Sequence, residues 1–190
     1  PLEVELEGSL PDWLRGTLLR NGPGLWQLGN REVQHWFDGL AKLHAFHLDG
    51  TRVHYRSRFL RSPEWQGLQR AGQLTHPQFA SDPCRSLFKK FTSMFWPEVG
   101  CNANVNITRL GERFLALTET PLALEFDPET LETIGLYDYE ADGFAGPITS
   151  AHPQIEEGRL FNFTVCLGRN SSYRGYHTRQ GPREEFARAL

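Results

Sequence analysis

Two stretches of this chain repeat one another 46 residues apart. Leu110-Gly111-Glu112-Arg113-Phe114-Leu115-Ala116-Leu117-Thr118 lines up with Glu156-Glu157-Gly158-Arg159-Leu160-Phe161-Asn162-Phe163-Thr164, and the 46 is the step from Arg113 to Arg159. In each copy a glycine turn opens onto an apolar run of strand length. A recurrence of that size matches one blade of a β-propeller. Two copies leave an alternative open, because any meander with gapped turns gives the same alignment. The rest of the chain is punctuated in the same way. Its 12 prolines and 18 glycines cut it into short segments at positions such as Asp38-Gly39, Asp49-Gly50 and Glu157-Gly158.

Strands follow from that punctuation. Lys42 to Leu48 alternates, Asp49-Gly50 offers the positive φ of a tight turn, and Arg52 to Phe59 returns as the second arm of a hairpin. Asn104 to Leu110, Arg113 to Glu119, Leu122 to Asp127 and Thr133 to Tyr139 read as a four-stranded meander, with Asp127-Pro128-Glu129-Thr130 as its last turn. The fold class is all-β. One segment differs: Ser81-Asp82-Pro83 is a helix start, the next turns place Leu87, Phe88, Phe91, Met94 and Phe95 on one face, and Trp96-Pro97 ends it. Arg85, Lys89 and Lys90 lie off that stripe, a pattern that suits a lipid headgroup layer. A helix packed on its own domain gives the same pattern.

Composition removes several classes. With 13 Phe, 5 Trp and 5 Tyr there is ample surface to bury, so the chain is not disordered. Its 20 basic and 23 acidic residues, a net charge of −3 with no basic block, give no footprint for nucleic acid. No apolar run approaches the roughly 20 residues of a spanning helix, and the start does not resemble a signal peptide. Cys84, Cys101 and Cys166 are odd in number and lack metal spacing, so reduced thiols in the cytoplasm are expected, with peripheral membrane contact through the helix. The first residue is Pro1 and the only methionine is Met94, so the chain is expected to begin in mid-protein.

Generic catalytic motifs are missing: no glycine-rich phosphate loop, no nucleophile elbow, no Cys/His pair. Of the histidines, His44 and His47 fall on opposite faces of one strand and His54 lies across the hairpin. His152 stands apart. It sits in Thr149-Ser150-Ala151-His152-Pro153-Gln154-Ile155, at the start of a strand, and Pro153 restrains its backbone toward the extended region. Neutral imidazole is a good ligand for ferrous iron, although a structural histidine fits the same place.

Several stretches together resemble one family. They are Pro11-Asp12-Trp13-Leu14-Arg15-Gly16-Thr17-Leu18-Leu19-Arg20-Asn21-Gly22-Pro23-Gly24, His35-Trp36-Phe37-Asp38-Gly39, Leu43-His44-Ala45-Phe46, Tyr55-Arg56-Ser57-Arg58-Phe59-Leu60, Asp82-Pro83-Cys84, Thr118-Glu119-Thr120, Phe126-Asp127-Pro128-Glu129-Thr130-Leu131-Glu132-Thr133 and Ala151-His152-Pro153. In this order they resemble the carotenoid oxygenase family, the carotenoid and apocarotenoid cleavage dioxygenases with the related retinoid isomerase. The resemblance implies a seven-bladed β-propeller with Fe(2+) on its axis, held by four histidines from different blades. His152 matches the first of these ligands. Glu119 matches one of the glutamates that orient ligand histidines from behind. The helix looks like the membrane patch at the mouth of the substrate tunnel, which makes Leu87, Phe88, Lys89, Lys90, Phe91, Met94 and Phe95 the expected membrane contacts. A lipophilic polyene and molecular oxygen are the implied reactants.

The chain departs from that pattern in one important way. After His152 only His177 remains, in a context that matches no iron ligand, and Gln154 stands where the family motif has a second, non-ligating histidine. Residues 1–190 are therefore expected to be the N-terminal portion of a single propeller domain, about its first two-fifths, with a short amphipathic helix insertion and no activity alone. Three readings are carried: part of a dioxygenase that cleaves a carbon–carbon double bond, a metal-free lipid-binding module derived from a propeller, and a retinoid isomerase of the same family.

Overall fold

The turn at Asp49-Gly50 shows how the strands are made. Asp49 accepts from the main-chain N–H groups of Thr51 and Arg52, at 3.0 and 2.8 Å, and Gly50 takes a φ of +92° that an L side chain resists. The computed structural model in which this is seen describes residues 1–29, 31–33, 35–72, 100–137, 148–166, 171–180 and 182–189 of the 190-residue chain. The predicted helix, with its seven expected membrane contacts, lies outside the described residues.

The first sheet contains β1 (Leu2–Val4), β2 (Arg15–Leu25), β5 (Leu40–Asp49) and β6 (Val53–Phe59) in the order β1-β6-β5-β2. Between β2 and β5 run a small ribbon, β3 (Gln27–Leu28) with β4 (Arg31–Glu32), and a single 3-10 turn over Trp36–Asp38. The hairpin has the expected arms, with Leu48 opposite Val53. After it comes α1 (Pro63–Ala71), a helix outside those expected. Its signals were present: Ser62 Oγ caps the Trp65 N–H at 3.1 Å, Pro63 stands in the first turn, and Gly72 closes the helix at a φ of +65°. Leu68 and Trp65 of α1 pack with Leu28 and Leu40.

The second sheet is the predicted meander: β7 (Asn106–Leu110), β8 (Arg113–Leu117), β9 (Ala123–Phe126) and β10 (Thr133–Leu136), all antiparallel to their neighbours. The third sheet holds β11 (Ile148–Thr149), β12 (Gln154–Glu156), β13 (Arg159–Cys166), β14 (Ser172–Thr178) and β15 (Glu184–Ala189). The turns Leu110 to Arg113 and Glu156 to Arg159 occupy equivalent places in the two sheets, so the 46-residue recurrence is the step from one sheet to the next.

Burial explains the apolar run in β8. Ala116 faces a core shared with Ala41, Leu43 and Ala45 of the first sheet, while Leu115 and Leu117 face a core shared with Leu160 and Tyr176 of the third. A strand covered on both sides reads as continuous hydrophobic residues rather than an alternation. The outer faces are barer: Leu18 on the first sheet and Phe163, Tyr173 and Phe186 on the third are exposed. No helix among the described residues is long and apolar enough to cross a membrane.

Candidate metal centre

A break in the third sheet presents His152. β11 pairs with Val165 and Thr164 of β13, and β12 pairs with Phe161 to Arg159, so both lie along the same partner strand. Between them Ser150 to Pro153 are unpaired opposite Asn162 and Phe163, four residues against two. Proline has no N–H for the ladder, so pairing cannot close at Pro153. The surplus chain forms a bulge of four residues. His152 is exposed there, while the preceding Ala151 is buried in the core between the second and third sheets.

Side-chain hydrogen bonds hold the bulge. Asn162 Nδ2 donates to the Ser150 carbonyl at 2.8 Å, and the His152 N–H donates to Ser150 Oγ at 3.1 Å. From β7, Asn106 Nδ2 donates to the Ala151 carbonyl at 2.9 Å and lies 3.3 Å from His152 Nδ1. Nδ1 therefore faces protein, and Nε2 is the ring nitrogen that Asn106 leaves open.

Glu119 follows the end of β8, and its carbonyl accepts from the Thr149 N–H at 2.8 Å, joining the second sheet to the third beside the bulge. Its carboxylate is exposed and accepts from Thr118 Oγ1 at 3.1 Å. The main chain thus brings Glu119 to the strand that leads to His152, while no hydrogen bond between the two side chains is present among the described residues.

The other described histidines have local duties. His35 Nδ1 accepts from the Phe37 N–H at 3.2 Å. His44 Nδ1 lies 2.7 Å from Tyr55 Oη, and burial, then the charges of Lys42 and Arg20, lower its pKa. His47 lies directly opposite His54 and 3.0 Å from Thr17 Oγ1, and His177 stacks on Phe186. No group of three or more His, Cys, Asp or Glu that could hold a metal is present among the described residues. His152 is exposed, and no complete metal-ligand set is present among the described residues. Cys101 is buried and Cys166 half-buried.

Sequence reasoning missed the asparagines. Asn21 Nδ2 donates to the carbonyls of Ala103 and Asn106, at 2.6 and 3.1 Å, tying β2 to β7. Asn102 and Asn104 both donate to the Gly39 carbonyl, at 2.7 and 2.9 Å, and the Ala41 N–H donates to Asn102 Oδ1 at 3.1 Å. The available signal was the alternate spacing in Asn102-Ala103-Asn104-Val105-Asn106, amides placed among residues that otherwise read as core. Two clefts open at the seam of the first and second sheets, of about 560 and 460 Å³. The larger combines Leu19, Ala45 and Phe114 with His47, His54 and Arg56, and neither includes His152 or Glu119.

Known proteins share this sequence and fold. Residues 1–188 match the family described as retinal pigment epithelial membrane protein, RPE65. The chain is 39% identical over 175 residues to rat beta,beta-carotene 15,15'-dioxygenase, covering 88% of this chain and 31% of the relative. It is 34% identical over 176 residues to the chloroplastic carotenoid cleavage dioxygenase 8 of Arabidopsis thaliana, covering 87% and 31%. Among solved structures, cobalt-substituted Synechocystis apocarotenoid oxygenase superposes with a TM-score of 0.77 at 32% identity, over 100% of this chain and 42% of that one. The chain thus spans about a third of the length of these enzymes and somewhat more of the solved chain. Its antiparallel sheets are blades of a β-propeller.

Proposed function

The chain belongs to the retinal pigment epithelial membrane protein family, which includes the carotenoid oxygenases, and from that premise we propose that it is the N-terminal portion of a non-haem Fe(II)-dependent dioxygenase. Residues 1–190 form the first part of a single propeller domain. The reaction is oxidative cleavage of a carbon–carbon double bond in a carotenoid or apocarotenoid, giving aldehyde or ketone products. The observation that carries this reading is the bulge between β11 and β12, which turns an imidazole out of a strand that would otherwise bury or pair it.

Iron supplies, when bound, a redox-active centre at which molecular oxygen is activated. The chain's own residues hold and orient. His152 would give it one neutral nitrogen, leaving the ion its positive charge, and the rest of the ligand set must come from outside the described residues. The Glu119 carboxylate, steadied by the Thr118 hydroxyl, would accept the outer N–H of a ligand histidine supplied from elsewhere. The stripe of Leu87, Phe88, Phe91, Met94 and Phe95, with Lys89 and Lys90 between Phe88 and Phe91 in the sequence, would rest on a lipid surface. A polyene could then pass from lipid to the enzyme without the cost of exposing a long hydrocarbon to water.

The test uses the full-length protein loaded with ferrous iron. Incubation with carotenoid or apocarotenoid under labelled dioxygen should give carbonyl products carrying the label, and His152→Ala should abolish them. Isomerised alcohol from a retinyl ester with no cleavage would assign the chain to an isomerase instead. Tight lipid binding with no stoichiometric metal would overturn the enzyme reading.

A further inference from the structure

The bulge that presents His152 is irregular along its own strand, so its position has to be set from outside that strand. Two asparagine amides hold its consecutive carbonyls. Asn162, on β13, takes Ser150, and Asn106, on β7 of the neighbouring sheet, takes Ala151. The imidazole emerges just beyond the second.

We propose that Asn106 is a positioning residue for His152, fixing the Ala151–His152 peptide against the start of β7 and thereby the place of the imidazole at the metal. This rests on the reading of His152 as a ligand. The Asn106 amide has one workable orientation. Its Oδ1 accepts from the Ile107 N–H at 2.8 Å while its Nδ2 donates to the Ala151 carbonyl at 2.9 Å. Turned over, the amide would set N–H against N–H at Ile107 and oxygen against oxygen at Ala151. Asn106 is itself held, since its carbonyl accepts from Asn21 Nδ2. A line of amides thus runs from β2 to β7 to the bulge, one link across each seam between sheets.

The fixed orientation also decides how Asn106 acts. Nδ2 is the atom 3.3 Å from His152 Nδ1, and a neutral ring that ligates through Nε2 carries its proton on Nδ1, so in the ligating tautomer this contact sets donor beside donor and is not a hydrogen bond. Asn106 therefore acts through the Ala151 carbonyl, as a clamp on the peptide. It differs from a carboxylate behind a ligand histidine, which acts by accepting the ring N–H.

Two substitutions separate these routes. Asn106→Ala removes the clamp. Asn106→Asp keeps the shape and the acceptor for Ile107, loses the donor to Ala151, and places an acceptor at the imidazole. In the full-length protein with Co(II) as the probe, both variants should bind cobalt at least ~10-fold more weakly than the unsubstituted protein. Both should also shift its visible absorption bands while the far-ultraviolet dichroism stays the same. Cobalt binding by Asn106→Asp as tight as that of the unsubstituted protein, or tighter, would overturn the clamp. His152→Ala is the companion measurement: undiminished cobalt binding there would remove the ligand reading itself, whereas weakened binding there with normal binding in both Asn106 variants would overturn only the positioning role.

Discussion

The Thr149 N–H donates to the Glu119 carbonyl at 2.8 Å. This main-chain bond joins the end of β8 to β11 and sets Glu119 beside the strand that runs into the His152 bulge, although 33 positions separate the two residues. Because the link uses backbone atoms, the Glu119 side chain can be altered without cutting the seam between sheets.

Glu119→Gln in the full-length protein should therefore leave the melting temperature nearly unchanged and weaken metal binding by about 10- to 100-fold. Titration with Co(II) beside a thermal melt reads both quantities. A large drop in melting temperature with unchanged metal affinity would mark Glu119 as structural.

His152→Ala should behave in the same sense and more strongly. The side chain is exposed, so its loss should cost little stability, within about 0.5 kcal/mol. Elemental analysis of the purified full-length variant should find its iron content well below that of the unsubstituted protein.

Asn102 is a stability position. Buried at 6% exposure, it serves the Gly39 carbonyl and the Ala41 N–H together. Asn102→Ala leaves the buried Ala41 N–H without that acceptor and should cost about 2 kcal/mol, read as a lower urea midpoint with an unchanged slope. Asn106→Ala, at a half-buried site, should cost less.

The Asp49 hairpin should be sensitive to acid. Hydrogen bonds from the main-chain N–H groups of Thr51 and Arg52 lower the Asp49 pKa from 3.8 to about 2. The folded value lies below the unfolded one, so this stabilisation is complete above about pH 4 and is lost as pH falls from 3.8 toward 2. Carboxyl carbon shifts should show Asp49 titrating near pH 2, and Asp49→Asn should flatten the stability profile over that window. Gly50→Ala should cost at least ~1 kcal/mol at any pH, because of its φ of +92° and because its new Cβ would stand 2.9 Å from the Asp12 carbonyl.

Glu64 and Cys101 form a buried pair. Glu64, 1% exposed, accepts the Cys101 N–H at 2.7 Å, and burial, then the neighbouring Glu64, push the Cys101 thiol far up. Iodoacetamide at pH 8 should leave Cys101 unmodified until urea is added. Glu64→Gln should be tolerated better than Glu64→Ala, which removes the acceptor altogether and should cost about 1–3 kcal/mol.

Local chemistry made part of this legible in advance. The Asp49-Gly50 hairpin and the meander from Asn106 to Leu136 follow from turn residues and apolar runs, signals carried by a few neighbouring positions. The same kind of signal stands at Ser62, Pro63 and Gly72, the N-cap, first-turn proline and left-handed C-cap of α1, a helix outside those expected. The asparagines were illegible for a different reason. Nothing adjacent to Asn21 or Asn106 in sequence reveals that their partners lie 82 and 45 residues away.

By itself, the sequence determined the turns, the strands between them, the 46-residue step from sheet to sheet, and the placing of a proline, which cannot complete a ladder, directly after His152. These depend on φ preferences and on missing N–H groups, which each residue carries with it. Only the tertiary structure decided that β8 is buried on both faces, that four residues of bulge oppose two of β13, and that an asparagine from the next sheet grips the peptide before His152. Those facts depend on which sheet packs against which, and that follows from burial summed over the whole molecule rather than from any local preference.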